Sequence, residues 1–198
     1  MKKLIITSFF LMSLFACDKE NTQPDLEYFN NIIAGKTEGI GIKYSEMLTD
    51  TLFFYYPSSN TNRYIDINDD GINDFDLKFS GTASPGHGNS NNTILTIGNS
   101  FLAIPEFESY IVDTIPINDT IDDKLIWVND TCILYNYYWE ASGNSSNTGL
   151  WNDVRNKYIG TKILVEDKAL FGWIRVEITS GWNLTLIEYA CTVGFELE

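Results

Sequence analysis

Apolar side chains recur along this sequence in short runs separated by Gly, Asn, Asp, Ser and Pro, with no sustained helical spacing. The runs Gly39–Tyr44, Thr51–Tyr56, Arg63–Ile67, Phe75–Phe79, Thr93–Ile97, Ser109–Ile115, Lys124–Val128, Thr131–Tyr137, Gly160–Val165, Ala169–Ile178 and Trp182–Ala190 all read as strands. About eleven short strands in one domain-sized chain predict an all-β, single-domain β-sandwich, jelly-roll-like, with a β-barrel as the alternative. The clearest alternation is near the C-terminus, where Ile174, Val176 and Ile178 interleave with Arg175 and Glu177 after a turn near Asp167-Lys168. One stretch departs from strand patterning. Leu26, Phe29, Ile32 and Ile33 share a helical face, which predicts one short helix over Leu26–Ala34 before the sheets. The stretches 81–92 and 141–149 are so small and polar that they read as long loops.

The first 17 residues stand apart. Two lysines precede an apolar run from Leu4 to Ala16, too short to span a bilayer as a helix, and then comes Cys17. This is the form of an export signal, and Leu14-Phe15-Ala16-Cys17 resembles the lipobox of bacterial lipoproteins. That resemblance implies a signal peptide over residues 1–16, a lipid on the Cys17 thiol, and a mature chain beginning at Cys17. The polar segment behind it reads as a tether, so residues 17–37 comprise lipidated cysteine, tether and short helix, and residues 38–198 the sandwich. Asp18-Lys19-Glu20 either resembles the surface-export signal of some Gram-negative bacteria or is a solvated part of the linker. The expected location is the outer membrane, on its periplasmic or its surface face.

Composition narrows the partners. The 198 residues carry 13 Lys+Arg against 27 Asp+Glu, a net charge of -14, which repels a phosphate backbone and argues against nucleic acid. The apolar content of 44% is enough to fill a core. Outside the cytoplasm Cys132 and Cys191 are candidates for a disulfide or for two buried free thiols.

One string carries chemistry: Asp66-Ile67-Asn68-Asp69-Asp70-Gly71-Ile72-Asn73-Asp74. Calcium takes six to eight oxygens, and a curled loop brings alternate side chains to one point while a glycine makes the sharp turn. The expected ligands are Asp66, Asn68, Asp70, the Ile72 carbonyl and Asp74, with Asp69 and Asp76 solvated or standing behind them. Leu77 occupies the place where an EF-hand needs glutamate, and both flanks read as strands, so this is not an EF-hand. The spacing resembles calcium loops of extracellular bacterial and thrombospondin-type proteins. A structural Ca²⁺ is the expected cofactor, and a plain Asp70-Gly71 hairpin turn is the alternative.

The string 64–75, then Lys157-Tyr158-Ile159-Gly160, Phe171-Gly172-Trp173-Ile174-Arg175-Val176 and Leu184-Thr185-Leu186-Ile187-Glu188-Tyr189-Ala190, together resemble a broad group of secreted bacterial surface proteins of unknown function. The resemblance covers roughly residues 38–192 and departs from the pattern at Cys191. It implies export and surface anchoring, with no established enzymatic activity. Asp50-Thr51-Leu52, Asp113-Thr114-Ile115 and Asp119-Thr120-Ile121 resemble a three-residue O-glycosylation signal of exported proteins.

Catalytic readings find little. His87 is the single histidine and no Gly-x-Ser-x-Gly elbow accompanies it, while nothing in the spacing of the acids singles out a glycosidase pair. Among the tryptophans, Trp127 and Trp173 sit in strand patterns and are expected in the core. Trp139, Trp151 and Trp182 border polar turns and are candidates for glycan binding through their flat faces. Tyr135, Tyr137, Tyr138 and Trp139 form an aromatic run that needs a covering element if it lies at a sheet edge. The sequence therefore predicts a non-catalytic, calcium-stabilised envelope lipoprotein, a surface or binding module whose partners are the membrane and either a glycan or an envelope protein. A glycan-binding lipoprotein of a polysaccharide-handling system is the alternative, with a carbohydrate-active hydrolase behind it.

Overall fold

The computed structural model describes residues 28–53, 55–106, 109–179 and 181–194. The signal segment, Cys17 and the tether lie outside the described residues. Fourteen strands follow in chain order: β1 (Asn31–Ile33), β2 (Ile42–Phe53), β3 (Ser58–Ile65), β4 (Phe75–Ser84), β5 (His87–Thr96), β6 (Ser100–Ile104) and β7 (Ile115–Pro116), then β8 (Thr120–Asp122), β9 (Ile126–Val128), β10 (Thr131–Glu140), β11 (Ser145–Gly149), β12 (Lys157–Val165), β13 (Lys168–Thr179) and β14 (Asn183–Thr192). They form a five-stranded sheet, β11-β10-β5-β4-β3, and a seven-stranded sheet, β2-β14-β13-β12-β6-β9 with β7 beside β12. A two-stranded flap pairs β1 with β8. All the sheets are antiparallel and open, so the fold is a β-sandwich and the barrel alternative does not hold.

The principal core lies between the two large sheets. Phe75, Leu77 and Phe79 of β4, Ile94 of β5 and Leu134 of β10 face Ile174, Val176 and Ile178 of β13 and Leu184 and Leu186 of β14. A second core lies on the other side of the seven-stranded sheet, where Phe171, Trp173 and Ala190 are covered by Ile32 and Ile121 of the flap, with Ile115 and Tyr158. Two-sided burial explains why β13 begins as the unbroken apolar run Leu170–Ile174 and alternates only after Arg175, where one face opens to solvent.

Several sequence expectations are corrected. No helix forms among the described residues: of the stretch Leu26–Ala34, residues 31–33 are β1, held by pairing with β8 and by insertion of Ile32 into the second core. Gly39–Tyr44 and Thr51–Tyr56 are not two strands, since β2 runs through from Ile42 to Phe53. Ser109–Ile115 crosses between the sheets. The Val112 amide donates to Ile133 O of β10 and the Asp113 amide to Ala103 O of β6, leaving only the short β7. The polar stretches 81–92 and 141–149 are largely strand: β4 and β5 join through Pro85-Gly86, and β11 adds the sheet's outer strand. Their inward positions Gly88, Ser90 and Asn92 are buried although none is apolar, so hydropathy missed the alternation.

The proposed disulfide is also corrected. Cys132 of β10 and Cys191 of β14 are both buried and free. They stand in opposite sheets within the principal core, and Cys191 Sγ donates to Ile67 O at 3.2 Å. Burial pushes the Cys191 thiol up to about 12 and the Cys132 thiol up to about 11, so both remain inert thiols packing as small apolar groups.

If the flap covers a true second core, Phe171→Ala should cost about 3–5 kcal/mol in urea unfolding, comparable with Phe75→Ala in the principal core. A Phe171→Ala midpoint unchanged from the parent would mean the flap contributes no packing.

Candidate metal loop and the aromatic cleft

The loop from Asp66 to Asp74 connects β3 to β4 at one end of the sandwich, and its own side chains curl it. The Asp66 carboxylate accepts the Asp70 amide (3.1 Å) and the Gly71 amide (2.8 Å), while Asp70 Oδ1 accepts the Ile72 amide at 2.8 Å. Asn68 Oδ1 shares the Asp70 amide at 3.2 Å, and its Nδ2 donates to Asp70 Oδ2 at 3.0 Å. Asp69 at φ 59° and Gly71 at φ 87° supply the left-handed turns that bring the chain back. Asp66, Asn68 and Asp70 are thus tied together by local hydrogen bonds within the loop. Ile72 is exposed at its rim.

Asp74 lies beneath them and is 5% exposed. Its Oδ2 accepts the Ile67 amide at 2.9 Å and its Oδ1 the Ser100 hydroxyl at 3.4 Å. Its backbone amide donates to Ile65 O and its carbonyl accepts the Ile97 amide, each at 2.8 Å. Burial pushes its carboxyl up to about 6; the Ile67 amide opposes this, and the charges of Asp70 and Asp66 push it further up.

The two outlying aspartates differ. Asp69 is exposed, as a solvated residue would be, and forms a surface ion pair with Lys43 of β2, a residue the sequence gave no reason to place here. Asp76 is buried, accepting Asn62 Nδ2 at 2.9 Å with Lys78 at 3.1 Å.

The donors fit a hard divalent cation by their chemistry. Asp66, Asp70 and Asp74 offer carboxylate oxygens and Asn68 an amide oxygen. Carboxylate oxygens that accept one amide each keep a further lone pair. Among the described residues no three Asp, Glu, His or Cys side chains are already grouped around one ion. The Asn68 amide and a backbone carbonyl such as that of Ile72 would have to complete the set.

The tryptophan candidates separate. Trp151 is not at a sugar-binding surface: it is completely buried and donates Nε1 to Val112 O at 3.2 Å. Gly149 explains this turn inward, since at φ 104° a Cβ there would lie 2.2 Å from Leu134 O. Trp139 is half-buried over Gly88, where an added Cβ would meet its Nε1 at 2.5 Å. Trp182 is half-buried and meets Tyr137 edge-on at 6.3 Å, while Tyr137 stacks on Tyr135 at 6.5 Å. Those three aromatics and Asn152, whose Oδ1 is buried without a partner, line an open cleft of about 360 Å³. The aromatic run on β10 is not an edge, because β11 and β5 flank it. Trp173 is fully buried, and Trp127 is half-buried against Phe171 at 6.1 Å.

His87 is exposed in the β4–β5 hairpin with Nδ1 3.0 Å from Ser84 Oγ. Glu140, its cross-strand neighbour, is bound by Tyr138, Ser142 and Asn144. Of the Asp-Thr-hydrophobic strings, Thr120 is exposed on β8, whereas Thr51 Oγ1 lies 2.9 Å from Thr185 Oγ1 across β2 and β14. Comparison of the chain with family models, curated proteins and solved structures gives no match.

With divalent ions removed, the fold holds the Asp74 proton more tightly (about 6) than the unfolded chain does (3.8). This group's contribution to stability therefore falls as pH rises from 3.8 to 6. After removal of divalent ions by dialysis into metal-free buffer, the parent should gain about 2 kcal/mol relative to Asp74→Asn between pH 7 and pH 4, measured by urea unfolding. Parallel profiles for the two proteins would show that Asp74 is not held this way.

Proposed function

We propose that this chain is a non-catalytic binding module of the bacterial outer envelope, tethered by a lipid on Cys17 and stiffened by one Ca²⁺ in the Asp66–Asp74 loop. The observation that carries the reading is the gathering of Asp66, Asn68 and Asp70 above the buried carboxyl of Asp74, which the charges of Asp66 and Asp70 push upward. Negative charge concentrated over a buried acid is offset by a divalent cation. The ion would be held by Asp66, Asn68, Asp70, Asp74 and the Ile72 carbonyl. Its role would be to pin the β3–β4 connection against the β5–β6 connection that Asp74 already touches. The resemblance to secreted bacterial surface proteins supports the same reading, as does the export-like N-terminus.

A second reading, a glycan-binding lipoprotein of a polysaccharide-handling system, is favoured by one specific feature. In the cleft the half-buried Tyr137 and Trp182 present aromatic surface beside the Asn152 amide, over the buried Tyr135, a combination suited to a sugar ring. Trp139 stands two residues along the same strand.

Millimolar Ca²⁺ should raise the melting temperature by about 5 °C over the value in EGTA, and Asp66→Ala or Asp70→Ala should remove that difference. Equal melting temperatures with and without Ca²⁺ would overturn the metal assignment. For the anchor, radiolabelled palmitate should label the parent in cells, and Cys17→Ser should abolish the label; label retained in Cys17→Ser would contradict it.

A further inference from the structure

The solvent-facing side of the five-stranded sheet has an unusual composition. Register places Ser58, Thr82, Asn89, Tyr138 and Ser146 in one cross-strand row. Asn60, Ser80, Asn91, Asn136 and Thr148 form the next, on the same face. These ten positions are exposed or half-buried, while the intervening Gly81, Ser90 and Asn92 are buried on the opposite side. Neither row contains a charge or an aliphatic side chain, in a protein with 20% charged residues. Charge returns at both ends of the band, with Glu140 beyond one row and Lys78 beyond the other. Solvated sheet faces ordinarily carry charges that keep them soluble and apart. A five-strand band of amides and hydroxyls is instead a surface of closely spaced donors and acceptors.

The band is not flat. Asn89, Asn91, Asn136, Tyr138 and Thr148 line an open depression of about 200 Å³ across β5, β10 and β11. Asn136 Oδ1, within it, is buried without a hydrogen-bond partner. Asn89 Oδ1 is taken by the Thr82 hydroxyl at 2.8 Å, which fixes that amide and leaves its NH₂ as donor. Tyr138 adds an exposed aromatic ring at the side of the depression.

We propose that this band binds a neutral glycan chain lying across the strands. Asn89 offers its NH₂ as a donor and the other asparagine amides offer both a donor and an acceptor to neighbouring sugar hydroxyls, Asn136 has an acceptor that the protein leaves unpaired, and Tyr138 supplies a face for a ring. An acidic polysaccharide would meet the net charge of -14 without a compensating cation in either row, and a basic protein would find no carboxylate there. Uncharged complementarity therefore selects the ligand. The inference rests on the binding-module reading and names its ligand, but places the glycan across the outer face of the five-stranded sheet, whose depression shares only Tyr137 with the aromatic cleft.

Affinity electrophoresis of the full chain in gels containing dextran, galactomannan or hydroxyethyl cellulose tests it, with alginate as the acidic comparison. The parent should be retarded by at least one neutral polymer and not by alginate. Asn91→Ala/Asn136→Ala should weaken that retardation at least about tenfold, whereas Trp182→Ala should leave most of it. Circular dichroism and unchanged melting would establish that each variant is folded, and Asn136→Leu, which removes both donor and acceptor at nearly the same size, provides a second variant that should also lose binding. Retardation lost in Trp182→Ala but kept in the asparagine variants would overturn this inference while preserving the cleft reading. Absence of retardation in every neutral polymer would overturn both glycan assignments and leave the calcium and anchoring proposals untouched.

Discussion

A single buried carboxylate ties three stretches of this chain together. Asp74 accepts the Ile67 amide through its side chain, pairs with Ile65 and Ile97 through its backbone, and receives the Ser100 hydroxyl. The end of β3, the start of β4 and the passage from β5 to β6 all converge on it. Burial disfavors its ionised form, and the nearby charges of Asp66 and Asp70 disfavor it further. The sandwich end is thus organised around a group whose charge is costly to retain, the situation that a bound cation relieves. Lys43 supplies a fixed positive charge at Asp69, linking the same loop to β2 of the opposite sheet.

The two large sheets divide the work. The seven-stranded sheet packs against the five-stranded sheet on one face and, around Phe171, Trp173 and Ala190, beneath the flap on the other, which opens to solvent beyond Arg175 of β13. The five-stranded sheet is buried on one face only, and its other face carries the uncharged band. β10 contributes to both candidate binding surfaces: Tyr135 and Tyr137 face the cleft with Trp182, while Asn136 and Tyr138 face outward.

Legibility in the sequence followed the chemistry of the buried residues. β12 and β13 were visible because Ile, Leu, Val and Trp fill their inward positions, and their turn at Glu166-Asp167 was located to within a residue. The first half of β5 and the whole of β11 were hidden because Gly, Ser, Asn and Thr occupy nearly all their positions, whereas Thr93–Ile97 marked the end of β5. β1 carried a helical spacing by coincidence, and pairing with the distant β8 decided its form. The acidic loop was legible because the side-chain hydrogen bonds that curl it are local, each spanning seven residues or fewer. Lys43 and Ser100 reach it from far along the chain, and no local signal announces them. Trp151 looked like a surface residue beside a polar turn; Gly149 turns the chain under the sheet and buries it.

The central claim is that the oxygens of Asp66, Asn68, Asp70, Ile72 and Asp74 surround a calcium ion. A crystal structure grown in millimolar Ca²⁺, with anomalous data collected to identify the ion, tests it directly. The account predicts an anomalous peak in the loop with these oxygens at about 2.3–2.6 Å. A loop without that peak, in which Asp66 still turns both oxygens to the amides of Asp70 and Gly71, would contradict it.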